Sequence, residues 1–218
     1  MLFAALLVFP FFNLPLSAQT NAARDLSSRY LFIVDKSAAM SRYAPATQKA
    51  VEHLLQSSLG AQLRAGDTVG VWTFDEELHA GRFPLQQWSP EQSANVASNV
   101  LAFLRSQTFQ KKSRYEVVAP ALGQVVRDSY KLTVLLVTDG DEKLSGTPFD
   151  HQIQNAFAQS FKAQQKARQP FITVLRASRG QFRNAAVNLA PWPVEFPAFP
   201  PEPEIDRKST RLNSSHRT

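Results

Sequence analysis

Residues 29–40 read RYLFIVDKSAAM, and residues 131–140 read KLTVLLVTDG. Each begins as a short apolar run without polar alternation and then meets an aspartate, Asp35 in the first and Asp139 in the second. Such a run suits a strand buried on both faces, as in a parallel sheet with helices packed on either side. Between and after these two runs the pattern alternates. The apolar residues Ala50, Val51, Leu54 and Leu55, followed by Gly60 as a stop, predict a helix at about 46–59, and Asp67–Phe74 (DTVGVWTF) reads as a second strand. Leu78–Phe83 reads as its short partner, joined through the acidic turn Asp75-Glu76-Glu77.

Ser89-Pro90-Glu91-Gln92 carries a capping serine, proline at the first helical position and glutamine three residues after the cap, opening a helix through Val96, Val100 and Leu104. A third helical pattern runs over 113–128, with Pro120 either kinking it or beginning its main body. Ile153, Phe157 and Phe161 mark a helix at 150–167, Phe171–Leu175 a strand, and Gln181–Leu189 a last short helix. This alternation predicts an α/β fold, a Rossmann-like three-layer sandwich. Its central sheet is mostly parallel with one short antiparallel edge strand, and helices cover both faces.

Composition narrows the chemistry. The chain has 218 residues, 44% of them hydrophobic, enough for one core of ordinary size and too apolar for intrinsic disorder. It has no cysteine, which excludes disulfides, a thiol nucleophile and cysteine-ligated metal. The formal net charge is +6, but Arg207, Lys208, Arg211 and Arg217 against Asp206 account for three of those charges. They belong to the tail at 206–218, whose residues 206–216, DRKSTRLNSSH, match a translated sequencing-library adapter. That tail reads as non-native, with the natural protein expected to continue past Ile205, and without it the case for nucleic acid as a partner lapses.

At the other end, residues 1–22 read as a signal peptide: the stretch from Leu2 to Leu16 is apolar apart from Asn13, no charge precedes Arg24, and small residues follow. The expected location is extracytoplasmic, secreted or periplasmic, with membrane tethering by an uncleaved N-terminal segment as the alternative. Pro10, Pro15 and a length short of the ~20 residues that span a bilayer argue against a permanent anchor. The mature domain is then 23–190, and no membrane span is expected within it. Residues 191–205 form a proline-rich extended segment, with Val194–Phe196 as an edge strand and the remainder a stiff spacer leaving the domain or a docking site for a proline-reading domain.

In an open α/β sheet, ligands bind outside the carboxyl ends of the strands, where Asp35 and Asp139 are both predicted on neighbouring strands. In an extended turn Asp35, Ser37 and position 39 face one side, and oxygens so placed suit a hard cation such as Mg²⁺, which takes about six oxygen ligands. Position 39 is alanine and offers none. The competing reading has both carboxylates capping helix N-termini.

The run RYLFIVDKSAAM, the helix after it, DTVGVWTF and KLTVLLVTDG resemble the von Willebrand factor type A domain in order and spacing, over Ser27–Leu189. That family's adhesion site has an Asp-x-Ser-x-Ser loop, a distant threonine and an aspartate after the fourth strand. The resemblance implies a metal site of Asp35, Ser37, Ser113 and Asp139 holding Mg²⁺ or Mn²⁺, with Ala39 in place of the second serine. Ser113 stands where the threonine belongs, Thr108 being the poorer alternative. It also implies a protein partner that completes the coordination with an acidic side chain; a metal-free, degenerate domain with a structural or assembly role is the alternative.

Other residues have plainer readings. Asp141 and Glu142 extend the acidic mouth or are solvated; Lys111, Lys112 and Arg114 attract an acidic partner or form a solvated loop. His53, His79 and His151 lack zinc-ligand spacing. The chain has no Gly-x-Ser-x-Gly, no phosphate-cradling Gly-x-x-x-x-Gly-Lys and no Gly-x-Gly-x-x-Gly, so no enzyme is expected. The nearest enzymatic rival, a phosphotransferase with Asp35 as nucleophile, needs a second aspartate where Ser37 stands.

Overall fold

The computed structural model describes residues 27–189 and 193–201. The signal-peptide and adapter readings, at 1–22 and 206–218, lie outside the described residues. The strands are β1 (Ser28–Asp35), β2 (Thr68–Phe74), β3 (Leu78–His79), β4 (Gln86–Gln87), β5 (Lys131–Thr138), β6 (Phe171–Ser178) and β7 (Gln181–Asn188). The helices are α1 (Ala44–Gln56), α2 (Ser93–Arg105), α3 (Ala119–Asp128) and α4 (Asp150–Ala167).

The seven strands form one mixed sheet in the order β3-β2-β1-β5-β6-β7, with β4 pairing the other end of β2. β1 lies parallel between β2 and β5, in a register that sets Asp35 beside Phe74 and Val34 beside Val137. Asp35 and Asp139 therefore leave neighbouring strands at the same end of the sheet, as expected. Side-chain alternation divides the core into two layers. Tyr30, Phe32 and Val34 pack with Val51 and Leu54 of α1 and Val100 and Leu104 of α2. Leu31 and Ile33 face the other way, into a cluster with Leu122 and Val126 of α3 and Ile153 and Phe157 of α4. The three layers follow from this.

The helices begin where their sequences predict. Pro45 and Pro120 sit in the first turns of α1 and α3, where a missing N–H costs nothing. Ser89 accepts from the N–H of Gln92 at 3.3 Å, and a 3-10 turn over Pro90–Gln92 leads into α2. Pro120 begins the main body of α3 after a 3-10 turn at Tyr115–Val117.

The fold is the expected α/β sandwich, but five local expectations need correction. The expected short antiparallel strand is β3, at the edge beyond β2, but it covers only Leu78–His79 of the predicted 78–83. β6 is also antiparallel, pairing β5 so that Thr138 faces Phe171. Gln181–Leu189 is not a helix. It is the strand β7, joined to β6 by a two-residue turn in which Arg179 and Gly180 both have positive φ, 50° and 76°. Such a turn matches the twist of a hairpin and sends the chain straight back along β6. Residues 193–201 are extended but belong to no strand, so Val194–Phe196 is not an edge strand. Nor is the segment a free spacer: Val194 and Phe196 pack against the core layer shared by α1 and α2.

Candidate metal site at the strand ends

β1 delivers Asp35 fully buried, with Ser37 almost as deep. The N–H of Ser37 donates to Asp35 Oδ1 at 2.7 Å, turning the chain away from the sheet into a 3-10 turn at Ala38–Tyr43. The loop before α3 comes to meet it. Ala38 N–H donates to the carbonyl of Lys111 at 2.7 Å, and Arg114 N–H donates to the carbonyl of Asp75 at 3.0 Å, so the residues between, Lys112 and Ser113, are clamped at both sides. From β5, Asp139 arrives 5% exposed and accepts from Asp141 N–H at 3.1 Å. Gly140 makes this turn feasible. Its φ is +81°, and a Cβ there would lie 2.4 Å from the Phe171 ring.

Neither aspartate caps a helix: each closes a turn on the N–H two residues ahead, so the capping alternative does not describe them. Ser37, Ala39, Lys112, Ser113, Asp139 and Asp141 line one cavity of about 270 Å³. Ala39 is exposed at its edge, and Thr108 is exposed and not part of it. The structure brings Ser37, Ser113 and Asp139 together over Asp35, while Thr108 lies outside the cavity.

The electrostatics identify a set of oxygens short of partners. Burial raises the Asp35 carboxyl to about 6, against the Ser37 N–H and the nearby hydroxyls of Ser113 and Ser37, which hold it down; the charge of Asp139 adds to the rise. Burial likewise raises Asp139, opposed by the Asp141 N–H. Both hydroxyls lie near enough to Asp35 to act on its carboxyl, yet Asp35 Oδ2, Ser37 Oγ and Ser113 Oγ are all buried and none makes a well-formed hydrogen bond. Buried polar atoms are ordinarily paired, so three at one spot is a strong local anomaly. Larger cavities, about 310 Å³ beside β2 and 650 Å³ at the amino ends of β1, β2 and β5, contain no such atom among the described residues.

Two carboxylates and two hydroxyls are a hard, all-oxygen donor set, which fits Mg²⁺ or Mn²⁺. The fit is incomplete at Ala39. Among the described residues no group of three or more His, Cys, Asp or Glu side chains is placed to hold a metal, because half of this set is serine.

Beside the cavity lies a cluster that the sequence reading missed. Lys36 Nζ pairs with Asp75 Oδ2 at 2.7 Å, and His79 Nε2 stands 3.4 Å from Asp75 Oδ1, all three side chains buried. Burial alone would raise Asp75, but the Lys36 ammonium, with the Glu77 N–H and His79, holds it at about 2. The pair ties the residue between Asp35 and Ser37 to the β2–β3 turn. The signal available in the sequence was weak: Asp75 read simply as part of an acidic turn.

No protein-family model matches the chain, and no curated protein matches it. Among the described residues, no helix is long and apolar enough to cross a membrane.

Proposed function

We propose that the chain is a protein-binding module similar to the type A domain, working outside the cytoplasm and engaging an acidic residue of a partner. The observation that carries this reading is the convergence of Asp35 Oδ2, Ser37 Oγ and Ser113 Oγ, buried and unpartnered, beside Asp139. Asp35, Ser37 and Ser113 would hold Mg²⁺ or Mn²⁺, with Asp139 acting partly through water. A bound cation would supply a positive centre able to accept a carboxylate. Asp35 and Asp139 provide the negative charge that attracts the cation, and the serines provide neutral oxygens at the floor. Lys111 and Lys112 line the same mouth and favour an approaching acid. The extracytoplasmic placement rests on the apolar stretch in residues 1–22.

A second reading, a metal-free domain with a structural or assembly role, has one observation in its favour: Ala39 contributes no oxygen. Titration with Mn²⁺, followed by loss of the free-ion electron paramagnetic resonance signal, separates the two. The first reading predicts one bound ion in the wild type and none in Asp35→Ala; the second predicts none in either.

A further inference from the structure

Arg176 lies in the middle of β6 and is only 2% exposed, yet no carboxylate pairs with it among the described residues. Burying a guanidinium is costly unless its N–H groups and faces are occupied. Here they are. Nη1 donates to Thr133 Oγ1, Nη2 to Gln62 Oε1, and Nε to the carbonyl of Pro197 at 3.0 Å. The rings of Phe196 and Phe199 sit against it, with centroids 5.4 and 4.6 Å from Cζ. Three of its contacts thus come from residues 196–199.

The rest of that segment is held in the same manner. Asn188 at the end of β7 accepts from Glu195 N–H at 2.6 Å and donates to the Glu195 carbonyl at 3.2 Å, while Asn184 donates to the Ala198 carbonyl at 3.4 Å. Every hydrogen bond described for residues 193–201 is made to a side chain of the domain, and none joins a strand ladder. The segment can therefore leave without opening the sheet. Pro193, Pro197, Pro200 and Pro201 preset its extended form, which lowers the ordering cost of docking. Arg176, Asn184 and Asn188 read backbone groups, and the aromatic contacts at 196 and 199 add side-chain selectivity.

We propose that the face of β6 and β7 around Arg176 is a peptide-binding site. Its ligand class is an extended, proline-containing segment with aromatic side chains three residues apart, and in this chain the site is filled by its own residues 193–201. A tethered ligand has an effective concentration in the millimolar range, so the site is closed to a competing segment until the strap is weakened.

The test uses a fluorescent peptide with the sequence of residues 193–201, titrated into the full chain. It is compared across the wild type, the strap variant Phe196→Ser with Phe199→Ser, and that variant carrying Arg176→Gln or Asn188→Ala. The strap variant is expected to bind saturably, with an apparent Kd roughly tenfold or more below that of the wild type. Either receptor substitution is expected to remove the binding. Asn188→Ala serves if Arg176→Gln does not fold, and a peptide with both Phe residues replaced by Ser should not bind. The proposal is overturned if the strap variant, with wild-type circular dichroism, does not bind, if wild type and strap variant bind equally, or if the serine peptide binds as well.

Discussion

The N–H of Ala38 donates to the carbonyl of Lys111 at 2.7 Å, joining the loop after β1 to the loop before α3. This bond brings Ser113, far from Asp35 in sequence, to the same cavity as Ser37 and Asp139. Nothing in the apolar patterning announces it, and the candidate site depends on it.

Asp35 gives the first prediction. Its carboxyl is raised from 3.8 to about 6 in the folded chain, so between those values the native state binds more protons than the unfolded one. Stability contributed at low pH is therefore lost as pH rises from about 4 to 6. Asp35→Asn should remove this slope, making the cation-free protein more stable at neutral pH by up to about 3 kcal/mol and no different below pH 4. Urea denaturation across that pH range reads it directly.

Asp75 carries the opposite sign. Held at about 2 by Lys36 despite its burial, it contributes stability above the ordinary carboxylate range and loses it as pH falls toward 2. Asp75→Asn strands the buried Lys36 ammonium and should cost about 3 kcal/mol at neutral pH. Acid titration of the variant should lack the corresponding loss between pH 4 and 2.

The strands that decide the fold were legible because their composition is extreme. β1 and β5 are apolar runs whose carboxyl ends carry aspartates, and the structure sets them side by side. The direction of β6 was not legible, since a strand buried on both faces looks the same read either way. β7 escaped for a different reason: QFRNAAVN has Val187 as its single β-branched residue, and its hairpin turn uses Arg179-Gly180 where Asn-Gly or Asp-Gly is the usual signal. At the site, Asp35, Ser37 and Asp139 could be read from the strand ends. Ser113 could be placed only by the resemblance, because loop-to-loop hydrogen bonds leave no periodic trace.

Gly140→Ala tests the turn that presents Asp139. The new Cβ would meet Phe171, whose ring is fully buried and packed at a tilt against Phe157 with centroids 4.6 Å apart, so it has no room to yield. Adding left-handed strain to overpacking, the expected loss is about 3 kcal/mol, measured by chemical denaturation.

Ala39→Ser adds an oxygen at the edge of the cavity. Because Ala39 is exposed, the substitution should leave the cation-free melting temperature unchanged while tightening Mn²⁺ binding roughly tenfold, about 1.4 kcal/mol, by calorimetric titration.

Whether the oxygens around Asp35 hold a cation is decided by a thermal melt of the chain with and without Mg²⁺ or Mn²⁺. A cation that binds only the folded state stabilises it by about 2.7 kcal/mol at a hundredfold excess over its dissociation constant. The expected result is a rise in Tm that grows with cation concentration and is absent in Asp35→Ala. A wild-type Tm unmoved by either cation, or a rise equally large in Asp35→Ala, would contradict it.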